Sequence, residues 1–213
     1  MAYTTIDNSE LHFQTKTYTG NGSTNAITLD GSENMQPDWT WIKVRSNSTH
    51  GHNLYDSVRG VNKPLQSEAT SAEGNDASSG NTSLNSFDSD GFTNGADNGV
   101  NESGQTDAAW NWKAGPTGSG TTTGSGTGKA YSYSVNTTAG FSIVTHTGSG
   151  SSGTIAHGLG ATPKWVLTKN RTDKFKELRK KMKESCPPCP PCATVSYTHL
   201  RAHETGRNLV CRL

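Results

Sequence analysis

Residues 37–46 read PDWTWIKVRS, and residues 163–172 read PKWVLTKNRT. The first of these stretches alternates as a β-strand does, with Trp39 and Trp41 on one side and Ile42 on the other. Its β-branched and aromatic residues are those that strands favour. Because the second stretch repeats the same order of residue types, we predict strands at residues 39–44 and 164–168 and an internal repeat that relates them. Residues 108–112, which alternate in the same way, and residues 141–145, which are β-branched and aromatic, predict two further strands.

A second pair of stretches supports the repeat. Residues 13–23 read FQTKTYTGNGS, and residues 141–151 read FSIVTHTGSGS. The two pairs keep the same order along the chain and are offset by 128 and 126 residues. Matched blocks in register indicate tandem copies of one structural unit. The alternative is shared turn chemistry in a chain rich in Gly, Ser and Thr.

The composition points to a β-protein with a small core. Hydrophobic residues make up only 30% of the chain, and 24 of its 213 residues are glycine. Such a chain favours thin β-layers with long polar loops. Turn signals occur at residues 19–22, 89–91 and 94–95. We predict an all-β fold, an antiparallel β-sandwich of the jelly-roll or lectin-like kind, with a truncated second repeat and a short helical or disordered C-terminal tail.

Composition also divides the chain into segments. The predicted segments are a first β-sandwich repeat (1–114), a Gly/Ser/Thr-rich linker or surface loop (115–130), a truncated second repeat (131–172), a basic helix and Cys-Pro segment of doubtful origin (173–193) and a disordered terminal segment (194–213). The second copy has no match to residues 54–60 or 108–114 of the first. We therefore expect the repeat to be interrupted near Thr172.

The last segments differ from the rest in charge and cysteine content. Residues 1–171 carry ten Lys/Arg and fourteen Asp/Glu, whereas residues 172–213 carry nine and four and hold all four cysteines. The stretch CPPCPPC at 186–192 predicts polyproline II, in which neighbouring sulfurs lie about 9 Å apart. That distance is too long for a disulfide between neighbouring cysteines or for a shared metal, and it leaves disulfides between parallel chains as the disfavoured alternative. Residues 195–213 resemble a translated sequencing adapter, so we expect no function from them.

Several classes of protein are disfavoured. Residues 1–12 lack the basic start and apolar run of a signal peptide, and no stretch is long and apolar enough to cross a bilayer. The mildly acidic, cysteine-free body gives no support for nucleic-acid binding. We expect no membrane insertion, and either a soluble, non-secreted product or one exported by a route that the sequence does not show.

Six residues are weak candidates for ligand contact. They are Trp39, Trp41, Asp56, Arg59, Trp110 and Trp112. The tryptophans could stack on sugars, but aromatic pairs on alternating strands more often form the core, and we favour the core. Asp56 and Arg59 could line a site, but an ion pair that fixes a strand-to-loop corner is favoured. No residue is assigned a catalytic role.

Two patterns suggest metal binding, and neither is complete. Asp88 and Asp90 begin like an acidic calcium loop but lack the remaining ligands, so a hairpin turn is favoured. His50 and His52 flank a glycine without a third ligand nearby. No nucleophile elbow, phosphate loop or metalloprotease signature occurs. We therefore predict no metal site, no cofactor and no enzymatic activity.

Seven motifs resemble a repeat found in tail-fibre and appendage proteins of marine bacteriophages. They are KTYTGNGS (16–23), PDWTWIK (37–43), YDSVRG (55–60), SFDSDGF (86–92), AWNWKAG (109–115), TAGFSIV (138–144) and AHGLG (156–160). The resemblance covers about residues 11–172 and implies a concanavalin-like β-sandwich displayed on a virion. It implies other virion proteins or host-surface polysaccharide as partners and leaves homo-oligomerisation open. The second copy departs from this pattern because it stops before a YDSVRG-type block.

Three functions follow as hypotheses. The favoured one is a non-enzymatic structural or adhesion module of a phage appendage that binds host-surface glycans. A carbohydrate-active depolymerase would need two carboxylates about 5–10 Å apart in a cleft, and the sequence offers no convincing pair. A glycan-binding module that is free of any virion is the third.

Overall fold

The alternating residues 39–44 form a strand, as predicted, at the centre of a five-stranded antiparallel sheet. The structure is a computed structural model that describes residues 6–78 and 82–172. In chain order its strands are β1 (Phe13–Thr19), β2 (Asn25–Ile27), β3 (Trp39–Val44), β4 (His52–Asp56), β5 (Gly60–Gln66), β6 (Leu84–Asp88), β7 (Gly91–Asn94), β8 (Thr106–Trp112), β9 (Thr117–Thr121), β10 (Thr123–Gly124), β11 (Ala130–Asn136), β12 (Phe141–His146) and β13 (Gly153–Thr154). Short helical turns occur at Ser9–Leu11, Asp76–Ser78 and α1 (Asn98–Asn101).

The strands form several antiparallel sheets. The five-stranded sheet has the order β1-β8-β3-β4-β5, and a three-stranded sheet of order β2-β7-β6 packs on one of its faces. A second three-stranded sheet has the order β12-β11-β9, and β10 pairs with β13. The described residues therefore form an all-β sandwich, which confirms the predicted fold class. The helix and Cys-Pro segment predicted at 173–193 and the terminal segment 194–213 lie outside the described residues.

The core lies between the five-stranded sheet and the β2-β7-β6 sheet. β3 and β8 bury every second residue, which brings Ile42 and Ala109 into the core. The facing sheet contributes Ile27, Leu84 and Phe92. Burying each large apolar side chain stabilises the fold by about 1.5–3 kcal/mol. A core of this size agrees with the low hydrophobic content of the chain.

Buried polar side chains complete the inner face of the five-stranded sheet. The Thr40 hydroxyl donates to Asn111 Oδ1 at 3.0 Å, and Asn111 Nδ2 donates to the Gln14 carbonyl at 3.3 Å. Asn101 Nδ2 donates to the Gly95 carbonyl at 2.7 Å. Because a buried polar group costs free energy unless it is hydrogen-bonded, these contacts explain how a chain with few apolar residues keeps a packed interior.

The turn signal at residues 89–91 joins β6 to β7, with Asp88 opposite Gly91. The Asp88 carboxylate accepts hydrogen bonds from the hydroxyls of Ser86 at 2.6 Å and Thr93 at 2.7 Å. These contacts hold the carboxylate within its own hairpin. The structure thus confirms the hairpin turn that the sequence favours for this motif.

Replacing Gly91 by alanine should destabilise the fold strongly. Gly91 has a φ of +107°, and a Cβ there would lie 2.0 Å from the Ile27 carbonyl oxygen. Because that obstacle is backbone, strain and overlap together should lower the free energy of unfolding by about 3 kcal/mol. Gly104→Ala is the matched control, since Gly104 has a φ of +79° but open space around it. It should lose about 1 kcal/mol. Equal losses in chemical denaturation would contradict this explanation.

The second copy forms only part of its predicted structure. Residues 141–146 form β12, as predicted, but the strand predicted at 164–168 is wrong because those residues have no regular structure. In the first copy β3 is held between β8 and β4. The described part of the second copy contains no equivalent of β8 or of β4. A lone extended segment has no partner for its backbone hydrogen bonds, so a strand is not stabilised.

The segment at 115–130, predicted as a linker or surface loop, contains two strands instead. β9 pairs with β11, which sets Gly118 opposite Tyr133 and Gly120 opposite Tyr131. A Cβ on Gly118 would lie 2.4 Å from the Tyr133 ring, and one on Gly120 would lie 2.5 Å from the Tyr131 hydroxyl. The glycines therefore make room for tyrosine rings that cross the strand. This sheet belongs to the same compact unit as the described residues of the first copy.

Candidate functional site

The four tryptophans of β3 and β8 lie on the outer face of the five-stranded sheet, opposite the core, and we call them the tryptophan face. The register sets Trp39 across from Trp112 and Trp41 across from Trp110. The core position favoured from the sequence is therefore wrong. Alternation groups the tryptophans correctly, but it does not say which side of a strand is covered. Here the β2-β7-β6 sheet covers the side that carries Ile42.

The rings of the tryptophan face form a continuous aromatic surface. The ring centroids of Trp39 and Trp112 are 4.6 Å apart, and those of Trp41 and Trp110 are 6.2 Å apart. The ring centroids of Trp39 and Trp41 are 6.0 Å apart, so the two pairs contact each other. Tilted and edge-on contacts of this kind are favourable for aromatic rings. All four side chains are only half-buried, so part of each indole remains accessible to a ligand.

Two phenylalanines cover one end of the tryptophan face. Phe13 on β1 lies 4.8 Å from Trp112 between ring centroids. Phe141 on β12 stacks on Trp39 at 5.8 Å and on Trp112 at 6.2 Å. Phe13 and Phe141 hold matching places in the two sequence copies, so both copies contribute to the same end. We call Trp39–Trp112, which the phenylalanines contact, the enclosed half of the face.

Trp41 and Trp110, which make no ring contact with a phenylalanine among the described residues, form the open half, with polar groups around them. Trp41 Nε1 donates a hydrogen bond to His52 Nδ1 at 2.9 Å. Because Nδ1 is the acceptor, the neutral imidazole carries its proton on Nε2. Thr15 on β1 is exposed and pairs with Trp110 on β8. Its hydroxyl therefore lies on the same side of the sheet as the Trp110 indole. This half thus combines indole surface with hydrogen-bonding groups at its edge.

Carboxylates hold the segments beside the open half. Glu68 accepts the His52 backbone N–H at 3.0 Å. Burial acts to raise the pKa of Glu68, but hydrogen bonds from its own backbone and from His52 lower it overall. Glu102 accepts from Asn47 Nδ2 at 2.9 Å and lies 3.0 Å from His50 Nε2, and these two hydrogen bonds lower the pKa of Glu102. His50 and His52 therefore contact different partners.

The part of the chain that the structure describes contains neither a metal-ligand cluster nor a membrane-spanning helix. Within residues 6–78 and 82–172 no group of three or more His, Cys, Asp or Glu side chains could hold a metal ion. The helices in the same ranges are all too short to cross a membrane.

Asp56 and Arg59 form a buried ion pair at the turn from β4 to β5. Asp56 also accepts the Arg59 backbone N–H at 2.8 Å. The Arg59 guanidinium donates to the carbonyls of Leu54 at 3.0 Å and Lys63 at 2.6 Å, and to the Glu73 carboxylate at 3.0 Å. The side chains of Arg59 and Asp56 are 3% and 7% exposed. The ion pair favoured from the sequence is present, and its burial leaves neither side chain open to a ligand.

A polar cleft that the sequence did not indicate lies beside β4 and α1. It has a volume of about 490 Å³, and its lining includes Tyr55, Asp76, Asp97 and Asn98. Burial raises the pKa of the Asp76 carboxyl, and the nearby Asp97 carboxylate raises it further. Asp97 also accepts the Gly99 N–H at 2.8 Å as the cap of α1. Asp76 and Asp97 come from separate parts of the chain. Of the two, only Asp97 has a recognisable sequence signal, because aspartate is a common N-cap residue.

Comparison with known families identifies the family of the chain. A family model described as a domain of unknown function, DUF7483, matches residues 8–183. The matched range includes the five-stranded sheet and the tryptophan face. It ends inside the segment 173–193, the one of doubtful origin by its composition. No curated protein and no solved structure matches the chain. Because the model covers most of its length, the chain belongs to the DUF7483 family.

Proposed function

We propose that this chain is a non-enzymatic module of a phage virion appendage that binds host-surface glycans through the tryptophan face. The observation that carries the proposal is the position of the tryptophans, on the side of the sheet opposite the core. Large aromatic side chains usually stabilise a fold most when they are fully buried. A contiguous aromatic surface that stays partly exposed is typical of an interaction site.

The chemistry of the open half suits a sugar. The C–H groups on one face of a pyranose ring pack well on an indole, and the hydroxyls at its rim need donors and acceptors nearby. Trp41 and Trp110 supply the indoles, and His52 and Thr15 supply polar groups beside them. Because the indoles lie on a sheet face, the surface suits a polysaccharide chain better than a small free sugar.

The virion setting rests on the resemblance of residues 11–172 to phage appendage repeats. Mass spectrometry of purified particles from a phage that encodes this chain should detect peptides from residues 6–172. Detection in infected cells but not in particles would overturn the virion setting. The alternative, a glycan-binding module that is free of any virion, would then be favoured.

Glycan binding is tested with a glycan array and with variants of the tryptophan face. The full chain should bind at least one class of bacterial surface polysaccharide. Trp41→Ala and Trp110→Ala should each weaken that binding about 30-fold, because truncating a central tryptophan of an interface costs about 2 kcal/mol. Affinities are measured by titration with the polysaccharide that gives the strongest array signal.

Trp165→Ala is the matched control for these variants. Trp165 is 68% exposed and lies outside the tryptophan face, so its loss should leave the affinity unchanged. Thermal unfolding of each variant confirms that the protein remains folded. Binding to no glycan on the array, or equal losses from Trp165→Ala and Trp110→Ala, would contradict the proposal.

The polar cleft favours a second candidate function, a polysaccharide depolymerase. Glycoside hydrolysis commonly uses two carboxyl groups, one of which has a raised pKa and acts as the acid. Asp76 and Asp97 both line the cleft, and the pKa of Asp76 is raised. A depolymerase should release reducing ends from the bound polysaccharide, and Asp76→Asn should abolish that release. Binding without release of reducing ends would exclude this candidate.

A further inference from the structure

The polar cleft lies at the edge of the five-stranded sheet that β4 and β5 form. Asn53 on β4 pairs with Gln66 on β5, and both residues line the cleft together with Tyr55 and Pro64. Tyr55 also belongs to the core, so the cleft opens on the inner side of the sheet, away from the tryptophan face. Its volume of about 490 Å³ is in the usual range of small-molecule sites.

Two side-chain amides in the cleft have groups available to a ligand. Asn53 is only 6% exposed, and its Nδ2 donates to the Gly99 carbonyl at 2.9 Å. Its Oδ1 accepts no hydrogen bond from the described residues, and the Gln66 side chain makes none with them. A buried acceptor that lacks a donor costs free energy, so the Asn53 carbonyl oxygen favours a ligand that carries a donor.

The charge of the cleft favours a cation. Asp76 and Asp97 line it, and no lysine or arginine is among its described lining residues. Burial raises the pKa of Asp76, and the charge of Asp97 raises it further, so the two carboxyl groups are close enough to interact. A ligand with a positive charge would relieve this repulsion and supply the donors that carboxylates accept.

Hydrogen bonds already fix the segments that carry the two carboxyl groups. The Gly74 backbone N–H donates to the Pro64 carbonyl at 2.9 Å, which attaches the segment before Asp76 to β5. Asp97 donates its backbone N–H to the Thr82 carbonyl at 3.2 Å and accepts the Gly99 N–H at 2.8 Å. A ligand therefore meets a largely formed site, which lowers the entropic cost of binding.

We propose that the polar cleft binds a sugar that carries a free, protonated amino group. The ammonium donates to the carboxylates of Asp76 and Asp97, and a ring hydroxyl donates to Asn53 Oδ1. A metal ion suits the cleft less well, because calcium takes six to eight oxygen ligands and a lone ion would leave most of the volume unfilled. A neutral sugar would leave the two carboxylates without a counter-charge.

This ligand site is separate from the two functions proposed above. It lies on the other side of the sheet from the tryptophan face, so neither site needs the other. It also differs from the depolymerase candidate, which requires a proton on one carboxyl group, whereas an ammonium binds best to carboxylates that are both charged.

Calorimetric titration of the full chain with D-glucosamine at neutral pH tests the proposal. Binding should be saturable. D-glucose, which lacks the amine, and N-acetyl-D-glucosamine, in which a neutral amide replaces it, should each bind at least tenfold more weakly, because hydrogen bonds to a charged group are the stronger ones.

Variants of the chain locate the site. Asp97→Asn should weaken the binding of D-glucosamine about tenfold or more, and the fold should survive because asparagine also caps a helix well. Asp30→Asn is the matched control, since the Asp30 side chain is 74% exposed and lies outside the lining of the cleft. Trp110→Ala should leave the affinity for D-glucosamine unchanged, which separates this site from the tryptophan face.

Four outcomes would overturn the proposal. The first is no saturable binding of D-glucosamine, and the second is equal binding of D-glucose. The third is a loss from Asp30→Asn or Trp110→Ala as large as the loss from Asp97→Asn. The fourth is displacement of D-glucosamine by equimolar calcium chloride, since a metal ion would then be the preferred ligand of the cleft.

Discussion

Replacing Arg59 by methionine should lower the free energy of unfolding by about 3–5 kcal/mol, because a buried ion pair that loses one partner leaves an uncompensated charge. Arg59 is 3% exposed and bonds to Asp56 and Glu73 together. It also donates to the carbonyls of Leu54 and Lys63. Methionine keeps most of the side-chain volume, so the loss reports mainly on the missing charge and donors.

Arg171→Met is the matched control for this prediction. Arg171 pairs with the same Glu73, at 2.8 Å, but its side chain is 40% exposed. An exposed ion pair contributes about 0–1 kcal/mol, so the control should be nearly as stable as the native chain. Urea denaturation measures both variants. A loss of under 1 kcal/mol for Arg59→Met would show that the corner between β4 and β5 does not depend on this ion pair.

Asp107 should make the protein less stable as the pH rises from about 4 to about 7. Its side chain is fully buried on β8, and its carboxylate oxygens have no hydrogen-bond partner among the described residues. Burial, with Glu102 adding to it and Lys43 opposing it, raises the pKa of Asp107 from 3.8 to about 7. The unfolded chain releases this proton near pH 4, whereas the folded protein holds it to about pH 7. The free energy of unfolding should therefore fall by up to about 4 kcal/mol across this window and then level off.

Asp107→Asn should remove that dependence, because asparagine has no proton to lose in this range. From pH 4 to pH 8, the unfolding free energy of Asp107→Asn should rise relative to that of the native chain. Asp30→Asn serves as the control, since the Asp30 side chain is 74% exposed. Chemical denaturation at each pH measures the three proteins. A constant difference between Asp107→Asn and the native chain would mean that the buried carboxyl keeps one charge state throughout.

The strands of the five-stranded sheet were predictable where the pattern is local. Residues 39–44 alternate within six positions, and that alone groups Trp39 with Trp41 and Ile42 with Val44. Which group enters the core depends on the sheet that covers it. The covering strands β2, β6 and β7 are short, and their sequences carry no signal that they pack on the Ile42 side. Alternation alone is therefore compatible with tryptophans in the core or on the outer face of the sheet.

The remaining errors come from contacts that are distant in sequence. Residues 164–168 have the composition of a strand, but a strand also needs neighbours, and β3 has its own neighbour β8 more than sixty residues away. The glycines of β9 predict a flexible linker by composition, yet tyrosines of β11 cross them and hold a strand. The cleft between Asp76 and Asp97 likewise forms only when separate loops come together.

The central claim is that the tryptophan face receives a glycan ligand. It is tested most directly by a nuclear magnetic resonance titration of the chain labelled with ¹⁵N in its five tryptophan indoles. With increasing polysaccharide, the indole signals of Trp41 and Trp110 should shift saturably, and the signal of Trp165 should stay in place. Unchanged Trp41 and Trp110 signals at a polysaccharide concentration that saturates binding would contradict the claim.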